Sequence, residues 1–370
     1  MKQLLVGVIL LIGVQALGQK KTAREYGVKI GVMKPGTLNA ITDVAGVKVG
    51  QVTINVGDSV RTGVTAILPH DGNVFQRKVP AAVFVGNGFG KLAGTTQVNE
   101  LGNLETPIVL TNTLAVPVGM TAVIEHTLRQ KGNEAAQSVN AVVGETNDSW
   151  LNDIRGMHVK TEHVLTAIRQ ARSGVVEQGN VGAGNGTVCF GWKGGIGTSS
   201  RKLPADLGGY TVGVLVQTNF GGNLVIDGVQ VGEALQKFSF SNSLLNNVDG
   251  SCMIVVATDA PLDARNLQRL AKRAFMGLAK TGGIASNGSG DYVIAFSTFE
   301  GNFIAHDPAD RIQSLQVLHN DVVSPLFMST IEATEEAIIN SLFKATTSKG
   351  YKGHEVKELP LNDVLPLLKK

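Results

Sequence analysis

Cysteine is nearly absent from this chain: Cys189 and Cys252 are the only two among 370 residues. No thiol cluster with zinc spacing and no disulfide framework can be built from them. They could pair only with each other, and the simpler reading is two small buried side chains. Histidine is sparse and scattered. The seven are His70, His126, His158, His163, His306, His319 and His354, and none forms HExxH or another paired metal spacing. His126 and His163 fall on predicted helices. No GxSxG elbow exists for a Ser-His-Asp hydrolase. Metal-assisted and histidine-dependent hydrolysis thus lack their signatures, and no metal is expected. The net charge of +3 is small and spread evenly, which speaks against a nucleic-acid partner. There is no fixed-period repeat, no low-complexity linker and no visible boundary to a second domain.

What the chain does have is glycine, 45 residues or about 12%, against a usual ~7%. The glycines cluster between strand-like runs and imply tight turns and close backbone approaches. At the N-terminus, Lys2 precedes an apolar core from Leu4 to Leu17, and Ala16-Leu17-Gly18 ends in small residues before Gln19. This predicts a signal peptide over 1–18 and a mature chain starting near Gln19, exported to the periplasm or beyond. The alternative, a retained anchor, requires a longer apolar run than this.

Residues 41–54 read as a turn and then an alternating strand. Further strands are expected over 62–68, 81–85, 107–110, 210–217, 251–259 and 292–298. Helices are expected over 117–131, 161–172, 261–280 and 329–344. Ser329-x-x-Glu332 reads as the capping box of the last one. Strands mixed with long helices predict a layered α/β protein with helices over sheets.

The densest glycine patch is GNVGAGNGTVCFGWKGGIGTSSR, residues 179–201. Gly186-x4-Gly191 begins like a phosphate loop, but Lys193 comes one residue late and Gly194 follows it in place of Ser or Thr. A nest of backbone N–H groups near another site, or plain tight turns around a sheet, are the remaining readings.

Where a polar segment meets the apolar run starting at Ser251, the dipeptide Gly250-Ser251 marks the border. Cleavage of that bond would leave Ser251 with a free amine beside its hydroxyl, the layout of an N-terminal nucleophile. Asn219 ends a strand beside Phe220-Gly221-Gly222 and could donate to an oxyanion. Ser289 and Asp291 stand two apart, so an extended chain puts them on one side as a possible relay. Glu145 could hold a substrate ammonium by a charge-assisted bond. Taken singly, each is equally an ordinary turn or loop residue.

Together and in order, these pieces resemble the DmpA-like family of self-processing aminopeptidases, the L-aminopeptidase/D-Ala-esterase-amidases and β-peptidyl aminopeptidases. The resemblance runs from about Gly36 to Thr346 and rests on eight blocks: NAITDVAGVKVGQVT, GNGFGKLAG, ETPIVLTNTLAVPVG, VVGETND, the glycine patch, VLVQTNFG, DGSCMIVVATDAPL and GSGDYVIAFST. Asn185 stands where the family pattern has Thr, and Asp291 where β-aminopeptidases tend to carry Glu. The resemblance implies an αββα four-layer sandwich as one catalytic domain, 19–370. It implies self-cleavage between Gly250 and Ser251 into an α chain (19–250) and a β chain (251–370), with four αβ units forming a tetramer. Ser251 would be the nucleophile, its own amine the base, Ser289 and Asp291 the relay, Asn219 the oxyanion donor and Glu145 the amine-binding group. Short peptides, amino-acid amides or esters would be the substrates, with no cofactor. A non-catalytic periplasmic peptide-binding protein of the same fold is the alternative.

Overall fold

The computed structural model describes residues 20–241 and 250–369. The expected leader, 1–18, and the polar run 243–249 ahead of Gly250 lie outside the described residues. Eleven strands and four helices carry the architecture. In chain order the strands are β1 (Lys48–Val56), β2 (Val60–Leu68), β3 (Arg77–Gly88), β4 (Leu92–Ala93), β5 (Ile108–Asn112), β6 (Val142–Thr146), β7 (Ile196–Lys202), β8 (Thr211–Asn219), β9 (Ser251–Thr258), β10 (Gly290–Ser297) and β11 (Ile304–Ala305). The helices are α1 (Val116–Leu128), α2 (Thr161–Arg169), α3 (Ala264–Lys280) and α4 (Ser324–Lys344).

One sheet has the order β1-β2-β5-β6-β4, the other β7-β8-β9-β10-β3-β11. Each contains one parallel pair, β5/β6 in the first and β9/β10 in the second. A parallel pair needs a crossover, and α1 and α3 supply the two. Val49, Ile67, Leu110, Leu215, Met253, Val255, Ile294 and Phe296 form a core between the sheets. Helices α1 and α2 cover the outer face of the first sheet through Val109, Val143, Ala122, Val164 and Ile168. Helices α3 and α4 cover the second through Val214, Val256, Val293, Leu270, Ala274 and Ile338. The layers are therefore αββα, as the resemblance implied.

The strand sequences explain the stacking. All eight residues of β9 are buried, because a strand between two layers needs apolar groups on both faces. Helices approach closely where glycine permits it. A Cβ on Gly50 of β1 would lie 1.9 Å from the Ala167 carbonyl of α2, and one on Gly197 of β7 would lie 1.9 Å from the Ala337 carbonyl of α4.

Two expectations on element ends are corrected. Helix α1 stops at Leu128, short of residue 131, because the Gln130 N–H turns back onto the Thr127 carbonyl. Helix α4 begins at Ser324 with Pro325 in its first turn, so Ser329 lies mid-helix and caps nothing. Glu332 instead accepts from the N–H groups of Val32 and Met33 and pairs with Arg201 at 3.1 Å.

That pairing belongs to a buried network. Arg201, fully buried, also pairs with Glu336 at 2.8 Å, and Arg24 joins Glu336 at 2.7 Å. The network ties the N-terminal segment and β7 to α4. Arg201→Met would leave Glu332 and Glu336 short of a cation in a dry interior, and should cost about 3–5 kcal/mol. Urea denaturation measures it; a loss under about 1 kcal/mol would mean the carboxylates find other partners.

Candidate active site

The site forms where one end of β9 meets its neighbours in both directions. Ser251 is the first residue of β9 and is buried. It faces Asn219 across the antiparallel β8/β9 ladder and Gly290 across the parallel β9/β10 ladder. Its hydroxyl donates to the Gly250 carbonyl and accepts from the Gly290 N–H at 3.3 Å. The same N–H donates to the Gly250 carbonyl at 3.2 Å. One backbone donor thus touches both the nucleophile oxygen and the carbonyl of the Gly250–Ser251 bond. The glycine before the serine has a steric cause: a Cβ there would sit 2.9 Å from Phe220 Cα.

Asn219 ends β8. Its Oδ1 accepts from the Val188 N–H at 2.9 Å. A backbone N–H can only donate, so the oxygen end is committed and Nδ2 is the amide's remaining donor end.

Ser289 and Asp291 are both buried, in the turn before β10 and at its second position. They do not meet the Ser251 hydroxyl. Alternation places Ser251 with Met253 and Tyr292 toward the space between the sheets, while Asp291 shares the opposite face with Cys252, Val293 and Ala295. Ser289 Oγ and both Asp291 carboxylate oxygens are buried without a hydrogen-bond partner among the described residues. Burial pushes the Asp291 carboxyl up to about 6; the nearby Ser289 hydroxyl and Cys252 N–H offset only part of that.

Glu145 reaches the site from the other sheet. It lies in β6 and is buried, with Oε1 accepting from the Lys91 N–H at 3.0 Å and Oε2 from the Thr113 hydroxyl. The Lys91 ammonium stands 3.5 Å from Oε1. A Cβ on Gly90 would be 3.2 Å from Glu145 Oε1, 3.2 Å from Gly290 Cα and 3.3 Å from Tyr292 Cε2. The glycine loop after β3 therefore brings Glu145 beside Gly290, the ladder partner of Ser251. Burial and the charges of Glu145 and Asp291 raise the Tyr292 phenol.

Sequence reasoning named Ser251, Asn219, Ser289, Asp291 and Glu145, and the fold gathers all five around the head of β9. It missed Gly290, Lys91, Thr113, Tyr292 and Val188. Gly290 and Val188 act through backbone N–H groups and leave no side-chain signature. Lys91 and Thr113 stood in the GNGFGKLAG and LTNT blocks, whose chemistry appears only once Glu145 lies against them. Both cysteines are free and buried. Burial pushes the Cys189 thiol up to about 12 and the Cys252 thiol well above its ordinary value, so neither is a reactive thiolate. A cavity lined by Ala45, His70, Asp259 and Phe299 lies at the other end of β9 and includes none of these residues. The described residues contain no group of three or more His, Cys, Asp or Glu able to hold a metal.

A buried serine at a strand head, between an amide and a backbone donor and near a buried carboxylate, has the groups that acyl transfer requires. Residues 39–356 match the model of peptidase family S58, and the chain belongs to that family. It is a serine-type aminopeptidase with the N-terminal nucleophile fold. It is 41% identical to the beta-peptidyl aminopeptidase BapA of Sphingosinicella microcystinivorans over 99% of this chain and 96% of that protein. Among solved structures, a Burkholderia sp. beta-aminopeptidase superposes with a TM-score of 0.85 at 40% identity, covering 94% of this chain and 98% of that one. The L-aminopeptidase D-Ala-esterase/amidase of Ochrobactrum anthropi, a prototype of the serine aminopeptidases with a variant Ntn hydrolase fold, also gives 0.85, at 33% identity and the same coverage.

The raised Asp291 carboxyl has a consequence for stability. Its folded value, about 6, lies above the ordinary ~3.9, so the native state holds this proton more tightly than the unfolded chain. Stability falls as pH rises between those values, by about 3 kcal/mol in all. Asp291→Asn should therefore raise the melting temperature at about pH 8 and change it little at about pH 4. Equal shifts at both would show that burial of the charge is not what disfavours the carboxylate.

Proposed function

We propose that the chain cuts itself between Gly250 and Ser251 and then releases N-terminal residues from short peptides, amides or esters through an acyl-enzyme on Ser251. The observation that carries this reading is the shared contact of Gly290 N–H with the Gly250 carbonyl and the Ser251 hydroxyl. Once Gly250 departs, its carbonyl leaves a place beside that donor and Asn219 for the substrate carbonyl.

In turnover, the freed Ser251 amine takes the hydroxyl proton as Oγ bonds to the acyl carbon. An α-amine near pKa 7.7–8.0 suits a general base close to neutrality. The tetrahedral oxyanion draws on Asn219 Nδ2. Collapse breaks the carbon–nitrogen bond, the leaving amine takes the proton, and water then hydrolyses the ester. Ser289 and Asp291 lie on the face of β9 opposite the hydroxyl, so their relay addresses the backbone nitrogen that both faces share. Glu145, already a carboxylate acceptor for Lys91 and Thr113, receives the substrate ammonium and confines attack to the first residue.

The two β-peptide-cleaving relatives support acceptance of β-amino residues, and the Ochrobactrum relative supports L-α-amino and D-alanyl substrates. The leader over 1–18 supports export, and the family resemblance supports a tetramer of αβ units. The family assignment favours this reading over the non-catalytic binding protein.

On a denaturing gel, purified protein should run as two bands matching 19–250 and 251–370, and Ser251→Ala should give one. A stable single chain with full amidase activity would overturn the reading. A p-nitroanilide panel of L-α, D-α and β-homo residues addresses specificity. Glu145→Gln should weaken β-homo and L-α substrates alike, by about tenfold or more in kcat/KM, since a charge-assisted bond to their common amine is lost. Widely divergent losses would remove Glu145 from that role.

A further inference from the structure

The glycine patch that fails as a phosphate loop closes on its own lysine. Lys193 is fully buried, and its ammonium donates to the carbonyls of Gly184 at 3.0 Å and Gly194 at 2.7 Å. Carbonyls converge on the lysine there, in place of the N–H groups of a nest. Lys193 pairs in register with Val188 in a short hairpin, with Phe190 and Gly191 turning at φ 52° and 76°. A positive φ at Phe190 is strained for a bulky residue and persists only where contacts hold it. Here the hairpin docks on the end of β8 by two bonds. The Val188 N–H reaches Asn219 Oδ1 at 2.9 Å, and the Phe190 N–H reaches the Phe220 carbonyl at 2.7 Å. The rings of Phe190 and Phe220 meet edge-on at 5.0 Å. The stem is closed by Gly194 N–H on the Thr187 carbonyl at 3.3 Å.

We propose that Lys193 is a positioning residue for acyl transfer: by binding the Gly184 and Gly194 carbonyls it fixes the Val188 hairpin, whose N–H holds Asn219 Oδ1 and so aims Nδ2 at the carbonyl under attack. This rests on the reading of Asn219 as oxyanion donor. A fully buried lysine with no carboxylate in hydrogen-bond contact, its pKa pushed down to about 7 by burial, is a costly way to close a loop. The cost has a function if the loop's exact position sets the direction of the amide, since a misaligned donor forfeits transition-state stabilisation.

The test is a double-mutant cycle on processed enzyme with an aminoacyl-p-nitroanilide. Asn219→Ala alone should lower kcat about 100-fold. Lys193→Met should lower kcat about tenfold with KM nearly unchanged, and in the Asn219→Ala background it should cost no more than about a further twofold. Losses that multiply in full would make Lys193 merely structural and overturn the proposal. Replacing Val188 by its α-hydroxy acid turns one amide into an ester, deletes that N–H and weakens only the Thr187 carbonyl that accepts from Gly194 N–H. It gives a second route that spares the core, with the ester at Thr187, whose N–H takes no part in this docking, as the control for chain insertion. The Val188 ester should show the same kcat loss and the same non-additivity with Asn219→Ala; wild-type kcat in that variant also overturns the proposal. If Asn219→Ala keeps wild-type kcat, the underlying reading of Asn219 fails, and this inference with it.

Discussion

The site depends on the clamp that holds the first residue of β9 between two ladders. Asn219 opposes Ser251 on one side and Gly290 opposes it on the other. A chain terminus is normally the most mobile part of a strand. The terminus that the proposed cleavage would create is the head of a strand buried along its whole length, inside a sheet covered on both faces. That burial allows a hydroxyl and a backbone nitrogen to be positioned by ladder geometry, without dedicated side chains to orient them. The same burial excludes water and strengthens every dipole aimed at the reacting carbonyl.

The two sheets then divide the labour. The second sheet carries Ser251, Asn219 and Asp291, with Ser289 in the turn leading into it. The first sheet contributes Glu145 from β6, and the glycine loop between β3 and β4 closes the gap. Gly90 matters because any side chain there would meet Glu145, Gly290 and Tyr292 at once. Lys91 neutralises part of the Glu145 charge from a more exposed position. Two sheets stacked face to face thus bring together residues more than a hundred positions apart. The buried network of Arg201, Glu332 and Glu336 locks β7 and the N-terminal segment onto α4 on the outer flank of the second sheet.

Much of this was legible in the sequence. The apolar run after Ser251, bounded by turn residues, reads as a buried strand, and the layered class followed from helices alternating with such strands. The five named side chains were visible because each sits at a strand end, within a strand near its end, or in a turn, where polar residues interrupt apolar runs. Element ends were less legible: Ser329 looked like a cap because its partner at Glu332 has the right spacing, yet that carboxylate answers to Arg201 and to backbone more than 290 residues away in the chain. Backbone donors were invisible. Nothing in the letters Gly290 or Val188 says that their N–H groups point at a nucleophile and at an amide oxygen. The Lys193 register argued against a phosphate loop, but nothing in the spacing said that the fold would give this lysine the loop's own carbonyls.

The period of a strand finally constrains the chemistry. Consecutive residues face opposite sides, so the Ser251 hydroxyl and the Asp291 carboxylate, on adjacent strands and one position out of register, cannot share a face. A relay from Asp291 to the hydroxyl would have to pass through the sheet. The backbone nitrogen of Ser251 lies in the plane of the sheet and is accessible to either face. While it is an amide it has no lone pair to offer as a base. The proposed cleavage ahead of Ser251 would turn it into an amine, and only then would a carboxylate on one face gain a link to a hydroxyl on the other. Under the proposed self-cleavage, the separation of the two groups is why Asp291 would act through the Ser251 amine and not on the hydroxyl directly. The buried Asp291 carboxyl has only the Ser289 hydroxyl and the Cys252 N–H to offset its burial, and the amine freed by the proposed cleavage would add a charged donor to that set.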